Sequence, residues 1–130
     1  MSDEAMEVFN IYNEALAKGD FAAVFNTMSD EIKWHQPGKN PMSGIIIGKE
    51  TLGVHLGKFA EKSHGTFQVV TNWVTSNENF VAANVTFMAN RGNGDVLNMN
   101  GIDLFRIEDG KIQEVWLFSS NQGLEDIYWK

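Results

Sequence analysis

Gly101-Ile102-Asp103-Leu104-Phe105-Arg106-Ile107-Glu108-Asp109-Gly110-Lys111-Ile112 is a β-hairpin legible in the sequence. Branched and aromatic residues flank Glu108-Asp109-Gly110, and Asp109-Gly110 supplies residues that tolerate the positive φ of a tight hairpin turn. The same texture continues outward on both sides. Segments 66–76, 80–90, 95–107 and 111–119 are rich in Val, Ile, Phe, Thr and Trp, and are separated by Asn77-Glu78-Asn79, Arg91-Gly92-Asn93-Gly94 and the Asp109-Gly110 turn. Four consecutive antiparallel strands are therefore expected.

The period changes upstream. Ala5, Phe9, Tyr12 and Leu16 fall at i, i+4, i+7 and i+11, one stripe of an amphipathic helix with Ser2 or Asp3 as its cap and Gly19 as its stop. Asp20 caps a second helix whose apolar positions are Phe21, Val24, Phe25 and Met28. Residues 32–35 read as a brief strand, and Gln36-Pro37-Gly38-Lys39-Asn40-Pro41 is a loop holding both prolines of the chain. Ile45-Ile46-Ile47 leads through Gly48 into a third helix over roughly 49–62, with Leu52, His55 or Leu56, and Phe59 on one face. Helices first and a meander after them predict an α+β fold, with the helices laid on one face of a curved, mainly antiparallel sheet.

A chain of 130 residues with 43% hydrophobic residues suits one domain, 1–130. The absence of Cys excludes a disulfide scaffold, a thiolate nucleophile and Cys-ligated metal. The net charge is -7 and the basic residues are scattered singly, so neither nucleic acid nor an anionic membrane is an expected partner. An acidic start, Met1-Ser2-Asp3-Glu4, and no long apolar run point to a cytoplasmic protein. In 95–107, Met99, Asp103, Phe105 and Ile107 share one face while Val96, Ile102 and Leu104 share the other, and Trp116 and Phe118 repeat the second face on the next strand. A sheet apolar on both sides needs cover on both sides, and a homodimer formed sheet to sheet is expected.

Asp103 is in phase with core residues on a strand, where a carboxyl is costly without a task or a partner. Either it lies in a pocket, where desolvation favours the protonated form, or the pleat carries it to water or to a cation. Tyr12 on the buried helix stripe is either a core residue with a satisfied hydroxyl or a group that meets Asp103. His35 is a candidate base at neutral pH, but strict alternation turns only one of Trp34 and His35 inward. His55 is either structural or part of the pocket, and His64 in a loop has no assigned role. The three His lack the H-E-x-x-H spacing, Gly92-Asn93-Gly94 precedes no helix, and no G-x-S-x-G elbow exists, so no metal and no cofactor are expected.

The whole chain resembles the cone-shaped α+β superfamily of nuclear transport factor 2, ketosteroid isomerase and the SnoaL-like polyketide cyclases. The carrying segments are Ile11-Tyr12-Asn13-Glu14-Ala15-Leu16-Ala17-Lys18-Gly19-Asp20, Trp34-His35-Gln36-Pro37-Gly38 through Ser43-Gly44, and Gly101 to Ile107 with Asp109-Gly110-Lys111-Ile112. By this resemblance Tyr12 and Asp103 match the two oxyanion donors of ketosteroid isomerase, and His35 falls where that enzyme has its aspartate base. The cyclases resemble the chain in 34–44 and Gly123-Leu124, but the acid they place at the end of the last strand falls on Phe118-Ser119-Ser120-Asn121, which holds no carboxylate. Scytalone dehydratase is similar in residue type to Tyr12, His35, His55 and Asp103. The resemblance implies a cofactor-free isomerase, cyclase or dehydratase acting on a small apolar cyclic carbonyl compound. Tyr12, His35 and Asp103 would carry the chemistry, and Phe25, Trp34, His55, Phe59, Met99 and Phe105 would line the pocket. The alternative is a non-catalytic dimer of the same fold that binds a small molecule.

Overall fold

The computed structural model describes residues 4–130, so the candidate caps Ser2 and Asp3 lie outside the described residues. The elements run α1 (Glu4–Lys18), α2 (Phe21–Asn26), β1 (Met28–Gln36), β2 (Gly44–Ile47), α3 (Lys49–Lys62), β3 (Gln68–Asn77), β4 (Phe80–Asn90), β5 (Val96–Glu108), β6 (Lys111–Ser119) and α4 (Gln122–Trp129). The six strands form one sheet in the order β2-β1-β6-β5-β4-β3. Every neighbour is antiparallel except β1 against β6, where the chain returns from the helices beside its own last strand. The α+β architecture is the expected one, and the curved sheet stays open, with β2 and β3 at its edges.

Two boundaries move for physical reasons. Met28 belongs to β1 and not to the second helix, because Thr27 closes α2 with its hydroxyl donating to the Val24 carbonyl at 2.6 Å. Its own carbonyl accepts the Ile112 amide at 2.8 Å, and that bond pulls the next residue into register with β6. The strand is consequently longer than residues 32–35. At the other end, α4 follows β6 without a sequence expectation to announce it. Asn121 caps it, its side-chain oxygen accepting the Leu124 amide at 3.1 Å.

Odd positions of β4 and β5 point to the helices and even positions point away, so Val81, Val85, Phe87, Leu97, Phe105 and Ile107 are buried. Register shifts in β3 between Thr71 and Trp73, and between β5 and β6 at Arg106 and Ile107, are bulges that bend the sheet. α1 presents Ala5, Val8, Phe9, Tyr12 and Ala15 to the concave face, and α3 presents Leu52, His55 and Phe59. The far side of the sheet keeps large apolar groups in the open: Ile45 is 61% exposed, Trp73 55% and Phe118 55%.

Gly101 marks the tightest approach in the central strands. A Cβ there would overlap the Phe118 carbonyl oxygen and come within 3.1 Å of Phe87 Cε1. Backbone cannot yield as a side chain can, so Gly101→Ala is expected to destabilise the domain by about 1 to 3 kcal/mol. Urea denaturation checks this, and a neutral result would mean that β5 and β6 can part here without cost.

Candidate functional site

Between the concave sheet and the helices lies a cavity of about 840 Å³. Tyr12 and Leu16 of α1, Trp34 and Gln36 of β1, Phe59 of α3, Val85 and Phe87 of β4, Asp103 of β5, Leu117 and Ser119 of β6, and Glu125 of α4 are among its walls. The volume is within the ordinary range for small-molecule pockets, roughly 300 to 1,000 Å³.

Asp103 reaches this space because it follows the inward phase of Phe105 and Ile107. Burial first, and the nearby Glu125 carboxyl second, push its pKa from 3.8 up to about 7. Tyr12 packs edge-on to Phe105, ring centroids 5.2 Å apart, and Phe9 does the same at 5.2 Å. Burial, then the charge of Asp103, raises the Tyr12 hydroxyl well above the usual phenol range, so it stays a donor. The Tyr12 hydroxyl and the Asp103 carboxyl face the same cavity, and neither has a hydrogen-bond partner among the described residues. Trp34, not His35, turns inward, and Phe59 is also on the wall.

His35 corrects the expectation of a base in the pocket. It pairs across the sheet with Ile45 and Trp116 on the outer face, stacks on the Trp116 ring at 5.3 Å and meets Glu114 Oε2 through Nε2 at 2.6 Å. Arg106 bonds the other Glu114 oxygen at 3.3 Å. His35, then Arg106, holds the Glu114 carboxyl below its usual range. The pleat decides this: Trp34 and His35 are neighbours on a regular strand and must take opposite sides. Four expected wall residues are also displaced. Phe105 is core, 1% exposed and locked between Phe9 and Tyr12. Met99 accepts the Ser119 hydroxyl on its sulfur at 3.0 Å. Phe25 packs beside Gly53 of α3. His55 sits behind the wall, edge-on to Phe59 at 5.2 Å, with Nε2 2.9 Å from Gln36 Oε1; burial, then Lys58, lowers its pKa to about 4 and keeps it neutral.

Glu125 supplies the carboxyl that 118–121 lacks. It is 6% exposed, lines the cavity and accepts Gln122 Nε2 at 3.1 Å, with Ser119 and Trp129 as its other polar neighbours. The Trp129 indole N–H stops short of a well-formed hydrogen bond. Burial raises the Glu125 pKa. Sequence reasoning missed it, although Asn121 followed by Leu124, Glu125, Tyr128 and Trp129 has the cap and spacing of a helix. α4 is fastened at both ends. Asn40 Nδ2 and Gln122 Nε2 converge on Asp126 Oδ1 at 2.8 and 2.9 Å, and Gly38 lies so close to this cluster that it has no room for a Cβ. Arg91 donates to the Tyr128 carbonyl at 2.8 Å and covers its ring at 3.9 Å.

An acid whose pKa is raised by folding keeps its proton in the native state after the unfolded chain has lost it. The contribution of Asp103 to stability therefore falls as pH rises from 3.8 to about 7 and is flat above that. Asp103→Asn should stabilise the domain at pH 8 by roughly 2 to 4 kcal/mol and have little effect below pH 4. Denaturant melts at the two pH values test this, and an equal effect at both would show that the carboxyl is not held protonated.

Residues 10–115 match the SnoaL-like domain profile. A crystal structure of a protein of unknown function with a cystatin-like fold from Xanthomonas campestris is 38% identical, covering 96% of this chain and 97% of that one, with a TM-score of 0.89. An uncharacterised protein of Mycobacterium tuberculosis is 26% identical over 131 residues, 99% of each chain. An NTF2-like protein from Burkholderia xenovorans shares the fold at 15% identity, with a TM-score of 0.75 over 96% of this chain and 95% of that one. The helices roofing one face of an open cone and the profile over most of the length agree: the chain belongs to the SnoaL-like domain family, with an NTF2-like fold.

Proposed function

We propose that this protein catalyses proton transfer on a small apolar cyclic carbonyl compound, with Asp103 as the base and Tyr12 as the oxyanion donor. The observation that carries the reading is the pairing of two polar groups, both without hydrogen-bond partners among the described residues, in one largely apolar cavity. A carboxyl with a pKa of about 7 is half ionised at neutral pH, which suits a general base. In its ionised form Asp103 takes a proton from the carbon beside the carbonyl. The C–H electron pair becomes the C=C bond of an enolate, and the oxygen charge is met by the Tyr12 hydroxyl. The proton then returns to the same or a conjugated carbon, which makes an isomerisation, or assists loss of a leaving group. His35 has no part in this scheme, and Glu125 acts through its charge on Asp103.

Deuterium exchange at the α-carbons of 2-tetralone, followed by NMR, tests it. Asp103→Asn should slow exchange about 10²- to 10⁴-fold, and Tyr12→Phe about 10²- to 10³-fold. The wild-type rate should rise with pH through about 7, because the ionised form is the base. Tight binding of the ketone with exchange no faster than in buffer would replace this reading with a non-catalytic binding module.

The proposal extends to the assembly. The outer sheet face carries Ile45, Trp73, Phe80 and Phe118 in the open beside His35, Glu114 and Arg106, whose polar groups are already bonded to one another within the chain. Such a surface loses little by desolvation, and a second copy about a two-fold axis is the occupant that presents the same apolar strip in return. Phe118→Arg should convert a sedimenting dimer to monomer, and a wild-type protein that sediments as monomer at micromolar concentration would sink the dimer.

A further inference from the structure

One amide in the cavity wall is locked at its oxygen and open at its nitrogen. Trp34 Nε1 carries a proton and no lone pair, so the Gln36 side-chain atom 3.0 Å from it must be the oxygen. The same Oε1 lies 2.9 Å from His55 Nε2. His55 therefore carries its proton on Nε2, facing an acceptor, and leaves Nδ1 bare. Two donors from two different elements, β1 and α3, fill the two lone pairs and fix the amide plane. Gln36 Nε2 keeps two N–H groups with no acceptor among the described residues, on a residue that lines the cavity.

Register gives the distance to the reacting end. His35 pairs with Trp116, so Gln36 follows level with Leu117, and Leu117 pairs with Asp103. All three residues line the cavity. Neighbouring strands are about 4.8 Å apart, which puts the backbones of Gln36 and Asp103 about 10 Å apart across the floor. The Gln36 amide and the Asp103 carboxyl therefore meet a ligand from opposite sides of Leu117.

We propose that the Gln36 amide binds an acceptor oxygen at the end of the ligand remote from Asp103, and that Trp34 and His55 are its positioning residues. The ligand class follows: a flat, apolar ring system with a hydrogen-bonding oxygen at each end. The assignment rests on the proton-transfer reading only in placing the enolisable end at Tyr12 and Asp103. A ligand with no acceptor at the Gln36 end would strip water from two N–H groups and give nothing back, so the site discriminates against it.

Two fluorescent probes test this, 2-naphthol and 6-hydroxy-2-acetonaphthone, which adds a carbonyl at the far end. Wild type should bind the acetyl probe more tightly. Gln36→Leu should weaken that probe about three- to tenfold and change naphthol binding less than twofold. His55→Leu should lose part of the discrimination, and His55→Gln, which restores an N–H donor, should recover some of it. Independently of any ligand, long-range 1H–15N NMR should find the His55 proton on Nε2. Equal losses for both probes in Gln36→Leu, no loss for either, or a His55 proton on Nδ1 would overturn the assignment. Discrimination that depends on Gln36 while Asp103→Asn and Tyr12→Phe change neither binding nor exchange would overturn the proton-transfer reading alone. Probes bound by neither wild type nor variants would overturn both.

Discussion

The pleat of β5 is the constraint on which the rest depends. This strand is hydrogen-bonded to a neighbour on each side, so its alternation cannot slip without turning every side chain over. Phe105 and Ile107 hold the inward phase by burial, and Asp103 is carried inward with them. Ile102 and Leu104 are carried outward by the same rule. One strand thus sets both the acid in the cavity and the apolar outer face.

Holding a carboxyl inside has consequences for its surroundings. Asp103 has no cation beside it among the described residues, and the charge that acts on it is that of a second acid, Glu125. Both are shifted towards protonation, and Tyr12 above them is shifted further from ionisation. The cavity is thereby rich in hydrogen-bond donors and poor in acceptors at moderately acidic pH, which suits a ligand bearing oxygen acceptors. α4 makes this possible, because it brings Glu125 to the cavity wall. Its attachment through Asp126 to Asn40 and through Tyr128 to Arg91 couples the proline-containing loop and the β4 end to the electrostatics of the site.

Much of this was legible in the residues. The period-two strands, the Asp109-Gly110 turn and the Tyr12 stripe gave the elements because local alternation and turn chemistry act over a few residues. Asp103 was conspicuous because an acid in phase with core residues violates the local pattern. His35 was ambiguous because a short strand before Pro37 leaves its phase open until pairing with β2 and β6 fixes it. Gln36 and Glu125 were invisible as site residues: neither breaks a pattern, and each matters only through partners distant in sequence, His55 in one case and Asp103 in the other.

The sequence by itself determined the α+β class, the phase that Asp103 shares with Phe105 and Ile107, and the surplus of apolar surface on the sheet. These depend on periodicity and composition, which are local or additive. Only the tertiary structure decided which face His35 takes, that α4 adds a carboxyl to the cavity, and which atom of Gln36 looks into it. Those depend on strand register and on hydrogen bonds between elements far apart in the chain, and such contacts have no local signature to read.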